Sequence, residues 1–236
     1  MRSTTSGPDN VSRFNRPGRV SRLALAALLA LALCACGPTT VNVQGRFPRP
    51  LMDPLPLKIG VWYPQEFRTH EFHDETTSRE QSAWIVETGP AQVEMWDTVL
   101  AGMFRDLVYM DGPPGPQQMN PVVNAVLIPH VDELQYAIPT QTKVKVYEIW
   151  MRYRFELVTT GGELIAEWTM PAYGKTPTAF LQSDQAAVNL AAVVALRDAG
   201  ANFITSFAQL PAVRAFLEPA VVMSSPAASA DKEDRS

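Results

Sequence analysis

Cysteine is almost missing from this chain: of 236 residues only Cys34 and Cys36 carry a thiol. Beyond Cys36 no disulfide and no cysteine-based metal site can form, so that part must hold its fold through a hydrophobic core. Histidine is scarce as well, limited to His70, His73 and His130. No Gly-x-Ser-x-Gly elbow is present, which removes one common signature of a serine hydrolase. Long apolar runs are lacking too. The run at 23–33 has eleven residues, whereas a helix needs about 20 to cross a hydrocarbon core. A transmembrane anchor is not expected there, and no later segment reads as one. Positive charge is thin outside the start of the chain. Five of the twenty Lys and Arg residues and one of the twenty-four Asp and Glu residues precede position 36, so the remainder carries a net charge of −8. A body this acidic argues against nucleic acid or an anionic lipid surface as its partner.

What is present begins with a basic stretch. Arg2, Arg13, Arg16, Arg19 and Arg22 stand against a single acid, Asp9, and the apolar run follows. That order is the pattern of an export signal. The run ends in Leu33-Cys34-Ala35-Cys36-Gly37. This pentapeptide resembles the lipobox of bacterial lipoproteins, in which Leu commonly stands three residues before the modified cysteine and a small residue directly before it. Cys36 fits that pattern, and Cys34, preceded by bulky Leu33, does not. The resemblance implies a signal peptide over 1–35, cleavage before Cys36 and a palmitate-type lipid on Cys36. Several acyl chains anchor firmly, since each buried CH₂ contributes about 0.8 kcal/mol. It also implies an address. An Asp after the lipid cysteine favours inner-membrane retention in enteric bacteria, and Gly37 is not Asp. The cell outer membrane, with the chain facing the periplasm, is therefore expected.

Residues 36–56 hold Pro38, Pro48, Pro50, Pro54 and Pro56 among polar neighbours, and read as a lipid-anchored, extended tether. Residues 219–236 lack an apolar period and end in charges, the composition of a disordered tail. Between them, 57–218 is long enough for one domain. Residues 57–63 and 82–87 are β-rich and predict two strands, with a polar loop or hairpin arm over 66–81. Thr88-Gly89-Pro90 is a helix start, and Val93, Trp96, Val99, Leu100, Met103 and Leu107 recur at helical spacing. These predict a helix over 91–108. Pro129 inside the apolar stretch 122–138 predicts a bulge or an edge.

The clearest segment is 145–157. Tyr147, Ile149, Met151, Tyr153, Phe155 and Leu157 alternate with Glu148, Trp150, Arg152, Arg154 and Glu156, the period of a strand with one buried face. Gly161-Gly162 suits a two-residue hairpin turn. Folding about it sets Leu157 opposite Ala166, Phe155 opposite Trp168 and Tyr153 opposite Met170. It also sets Glu156 opposite Glu167, a like-charge pair that Arg154 can relieve. Ser183 or Asp184 caps a last long helix, with Leu190, Val193, Val194, Leu196, Phe203, Ile204 and Phe207 as its buried stripe. Pro211 ends it, with room for one more turn over 212–217.

Strands accompanied by two helices give an α+β domain of two layers, a mainly antiparallel sheet with both helices packed on one face. In this layout, with the strand at 57–63, the helix at 91–108, the hairpin 145–170 and the Ala-rich helix ending in Arg197-Asp198-Ala199, the chain resembles small envelope lipoproteins of the LptE, YajG and TolB-N-terminal type. That resemblance implies an accessory role at the envelope.

Chemistry is sparse. His70-Glu71-Phe72-His73-Asp74-Glu75 carries zinc-type donors. The zinc-protease pattern needs two residues between Glu and the second His on a helix, and here there is one, in a polar loop. His130 lies near Asp132 and Glu133, but no nucleophile is in evidence for it to activate. Gly112–Gly115 lacks the lysine and helix of a phosphate loop. Glu148, Glu156 and Glu167 share an exposed strand face with arginines, which favours solvation over a glycosidase pair. No catalytic residue, metal or cofactor is expected. Trp150 stands out, because it lies between charged neighbours, followed by Arg152 and Arg154. Two readings stay open: these three side chains contact a partner, or Trp150 is buried under a loop or the tether. The expected function is a binding or scaffolding accessory in envelope biogenesis or transport, with an envelope protein as partner and the membrane reached through Cys36. The alternatives are a periplasmic lipid carrier, which needs an apolar cavity between sheet and helices, and an envelope hydrolase, which needs converging polar groups in a cleft.

Overall fold

The computed structural model describes residues 38–73, 84–116, 122–137, 146–177 and 183–224, with side chains as far as 218. The chain divides into two units, Met1–Pro38 and Thr39–Ser236. The leader, Cys34 and Cys36 lie outside the described residues, and the fold below is that of the second unit. Its elements in chain order are β1 (Thr39–Asn42), β2 (Leu55–Val61), α1 (Gln65–Arg68), β3 (Glu71–His73), β4 (Trp84–Glu87), α2 (Gly89–Met103), β5 (Phe104–Tyr109), β6 (Ala125–Ala137), β7 (Val146–Val158), β8 (Leu164–Pro177), α3 (Asp184–Ser206), a 3₁₀ turn (Phe207–Gln209) and α4 (Pro211–Ser224).

The architecture is α+β, and the sheets are mixed, with the longest ladders antiparallel. Strands β5-β2-β6-β7-β8 form a five-stranded sheet in that order, and β1-β4-β3 form a smaller one. In the large sheet β2 runs parallel to both β5 and β6, while β6, β7 and β8 pair antiparallel. The parallel half exists because α2 carries the chain back between β2 and β5, as a crossover must. The expected helix over 91–108 ends early, since α2 stops at Met103 and β5 follows with no loop between them. Phe104 already has extended backbone, with φ −115° and ψ 149°. The apolar spacing of Met103, Phe104 and Leu107 fits either period, and pairing with β2 decides for the strand.

The β7–β8 hairpin matches the predicted register residue for residue: Tyr153↔Met170, Phe155↔Trp168, Glu156↔Glu167 and Leu157↔Ala166. The turn itself is longer than two residues. The ladder shifts at Val158↔Leu164, and Gly162 at φ 89° closes a turn over 159–163. Pro129 does not lie on an edge strand, because β6 runs between β2 and β7. Its pairing with β2 ends at Leu127, however, so the proline falls just past the doubly paired stretch. The bulge comes at Asp132, between Val131 and Glu133.

Both long helices pack on one face of the large sheet. Trp96 of α2 is fully buried and meets Tyr153, Phe155 and Phe203 edge-on, with ring centroids 5.0–5.6 Å apart. The buried face of α3 rests on small residues more than on its predicted stripe. Ala187, Ala191, Ala195 and Ala199 are fully buried, while Leu190 and Val194 are only half-buried. The alanines bring the helix axis close to β8. A Cβ on Gly174 would fall 1.9 Å from the Ala191 carbonyl oxygen and 2.4 Å from the Ala195 nitrogen. The segment Asp184–Gln209 is apolar and long enough to cross a membrane by composition, a property the sequence reading passed over. More than half of it is buried within the fold, as a core helix requires.

The segment expected to be a free tether is docked from Thr39 onward. Strand β1 pairs in parallel with β4, and Val41 and Val43 are buried in the main core. Gln44 exchanges two hydrogen bonds with Asn189: the Gln44 amide donates to Oδ1 at 2.8 Å, and Nδ2 donates to the Gln44 carbonyl at 3.1 Å. Arg197 donates twice to the Arg46 carbonyl, at 3.1 and 2.7 Å. Prolines that read as a linker thus serve as a strap across α2 and α3. At the other end, α4 continues to Ser224, past the expected start of a disordered tail at 219.

Candidate binding site on the open sheet face

The face of the large sheet opposite the helices carries the outward residues of β6, β7 and β8. At one end lies a small second core of Met110, Val126, Ile128 and Val158, with Trp62 and Val123 against it. The middle is a ladder of cross-strand ion pairs. Arg152 meets Glu133 at 2.8 Å, and Arg154 meets Asp132 at 3.2 Å and also bonds Glu156. Glu167 is 3.9 Å from the same guanidinium, so Arg154 does relieve the Glu156–Glu167 pair. His130 lies 3.2 Å from Glu156. Burial, and then Arg154, hold its imidazole below the usual histidine range, against the upward pull of Glu156, Glu66 and Asp132. The two arginines read as partner contacts are therefore committed to carboxylates within the sheet. Exposed pairs of this kind contribute at most about 1 kcal/mol each.

Trp150 behaves differently. It remains 40 % exposed, and Tyr173 beside it on β8 is 41 % exposed. The two residues are register partners, as are Gln135 and Trp150. Gln135, Tyr136, Glu148, Trp150 and Tyr173 line a cleft of about 250 Å³. Glu148 is held in place there by Lys175 at 3.1 Å and by the Tyr173 hydroxyl, which donates to it. Trp150 is not fully buried under a loop or the tether, since 40 % of the residue stays exposed. Tyr173 and Gln135 are missed by sequence reasoning. The signal for Tyr173 was available: the register that sets Tyr153 opposite Met170 sets Trp150 opposite Tyr173.

The histidine cluster does not converge. His70 Nδ1 lies 2.7 Å from the Thr88 hydroxyl, and the His70 carbonyl accepts from the Thr88 and Gly89 amides at 3.0 and 2.9 Å. His70 thus fastens the turn after α1 to the start of α2, and burial lowers its pKa, partly countered by Glu71. His73 pairs with Glu71 at 2.8 Å on the exposed strand β3. Asp74 and Glu75 lie outside the described residues. Among the described residues no group of three or more His, Cys, Asp or Glu side chains could hold a metal ion. Asp97 takes a hydrogen bond from the Tyr63 hydroxyl at 2.8 Å and another from Tyr109. Burial raises its pKa even so.

Two further clefts border the strap. One of about 130 Å³ lies between 47–50 and the helices, lined mainly by Phe47, Pro48, Pro50, Met95, Val99 and Ile204. The other, about 520 Å³, is polar and includes Asn42, Gln44, Glu87 and Glu94. The apolar one is well below the roughly 300–1,000 Å³ of typical ligand pockets.

No protein-family model and no curated protein matches this chain. Solved structures of similar layout include a Xanthomonas campestris protein of the DUF330 family, at 13 % identity, covering 70 % of this chain and 92 % of that one with a TM-score of 0.46. A minor lipoprotein of Acinetobacter baumannii is also similar, at 12 % identity, covering 63 % of this chain and 88 % of that one with a TM-score of 0.33.

Proposed function

We propose that the chain is a lipoprotein of the bacterial cell envelope, anchored through Cys36 at the outer membrane and facing the periplasm, whose domain binds rather than catalyses. The observation that carries the binding role is the open sheet face. Both long helices pack on the other side, the charges of the open face satisfy one another, and two aromatic rings stand exposed beside a cleft. Aromatic rings exposed together beside a cleft are groups that a binding partner can cover. The lipid-carrier alternative is less well supported, because the space between sheet and helices is filled by Trp96, Tyr153, Phe155 and Phe203.

The test is metabolic labelling of the full chain with palmitate in a bacterial host, followed by separation of inner and outer membranes. Cys36→Ala is expected to abolish labelling and to release the protein from the membrane, while Cys34→Ala keeps both. Labelling that survives Cys36→Ala, or that depends on Cys34, overturns the assignment of the anchor.

A further inference from the structure

We infer that the cleft between Trp150 and Tyr173 binds a neutral saccharide, with one sugar ring stacked on the paired aromatic side chains. This rests on the reading of the domain as a binding module. The first argument is the geometry of the rings. Trp150 and Tyr173 are cross-strand partners on one face of a twisted sheet, each about two-fifths exposed, at the edge of a cleft of about 250 Å³. An aromatic face is the negative part of the ring quadrupole. The axial C–H groups of a pyranose carry the complementary positive charge and form a flat apolar patch of matching size.

The second argument is the set of polar groups around the rings. A sugar offers hydroxyls that both donate and accept at the rim of that patch. The cleft presents the amide of Gln135, whose Nε2 donates to Glu133 and whose second N–H and Oε1 can still donate and accept, and the carboxylate of Glu148, which accepts. Glu148 is contacted from one side by the Tyr173 hydroxyl and Lys175. Orienting polar groups beside an apolar platform are what a small-ligand site requires.

The third argument is charge. Lys175 is paired with Glu148, Arg152 with Glu133, and Arg154 with Asp132 and Glu156. Among the described residues of β6, β7 and β8 no lysine or arginine is left over to draw an anionic ligand, and the domain as a whole is acidic. A folded protein partner fits less well. A stable interface takes about 800 Å² from each side, and covering that much around Trp150 would desolvate the ion-pair ladder. Interface cores are depleted in such charges.

The experiment uses the full lipidated protein in a detergent without a sugar headgroup. Saturation-transfer NMR and tryptophan fluorescence would be recorded against cellotetraose, chitotetraose and maltotetraose. Saturable binding of at least one is expected, with transfer to the ring C–H protons. Trp150→Ala and Tyr173→Ala should each weaken it by about tenfold, the loss of one stacking contact, and Trp150→Phe should restore most of it. Glu167→Gln, on the same face but outside the cleft, should leave it unchanged. Folding of each variant is checked by its thermal transition. Failure of all three oligosaccharides to bind, or binding that ignores both ring substitutions, overturns the saccharide assignment. A photo-crosslinker at position 150 in cells then separates the two readings. A protein captured there, and lost on Tyr173→Ala, would keep the binding role while rejecting the saccharide. No capture together with no sugar binding would reject both.

Discussion

Single residues on this chain are constrained by what a side-chain atom would meet. Gly174 has no room for a Cβ, because the obstacle is the backbone of α3 itself. Gly174→Ala must push the helix off the sheet, and is expected to cost about 3 kcal/mol or more, the upper end of the overpacking range. Gly161→Ala is the control. Its Cβ would come no closer than 3.6 Å to Thr159 Oγ1, so denaturant melts should show a near-neutral effect. His70 makes a pH prediction. Burial lowers its folded pKa below the unfolded value near 6.5. Above that value both states are neutral and stability does not depend on this group. As pH falls below about 6.5, the unfolded chain takes up a proton that the folded chain resists, so stability declines. Urea melts from pH 8 to pH 5 should show a decline in the wild type that is smaller in His70→Gln.

Elements differ in how much of their structure their own residues specify. The β7–β8 hairpin specifies its own register, since apolar and polar positions alternate and a slip of one residue would invert both faces. The strap does not. Thr39, Thr40, Val41 and Val43 have strand propensity, but nothing in 39–50 names a partner until Asn189, Arg197 and the edge of β4 are brought to it. Its hold on α3 joins a handful of polar contacts, each worth about 1 kcal/mol net, to the burial of Val41 and Val43 and the close packing of Gly45 on Val193. Asn189→Ala is therefore expected to raise hydrogen exchange at the Gln44 amide by more than it lowers global stability. Equal loss in both would mean that the strap unfolds only with the whole domain. The junction of α2 with β5 is a third case. Without a loop between them, Phe104 serves as both the C-cap of the helix and the first residue of the strand.

At the scale of the whole fold, the large sheet of the unit from Thr39 onward has one filled face and one open face. The filled side is an aromatic stack of Trp96, Tyr153, Phe155, Trp168, Phe203 and Phe207 closed by the alanine face of α3. Phe203 touches four of those rings, Trp96, Phe155, Trp168 and Phe207. Phe203→Ala is expected to cost about 3–5 kcal/mol and to bring exposed-core behaviour, measured as dye binding at neutral pH. Trp150→Ala on the open face should leave thermal stability within about 1 kcal/mol, since it removes only a half-exposed cross-strand contact. That asymmetry would separate a residue kept for binding from one kept for the fold.

The sequence by itself determined what depends on neighbours along the chain. The hairpin pairing and its buried face, a cap for α3 at Ser183 or Asp184 and the Glu156–Glu167 repulsion with Arg154 as its relief could all be read from spacing. Only the tertiary structure decided what depends on distant partners. Strand β1 pairs with β4, 45 residues on in the register, and strand β5 is a strand only because β2 lies beside it. The parallel half of the sheet and the docked strap follow from those pairings, and the Trp150–Tyr173 cleft takes Gln135 and Tyr136 from β6. Periodicity reports which face of an element is apolar, but a residue whose spacing fits two periods takes its conformation from the backbone that offers it hydrogen bonds.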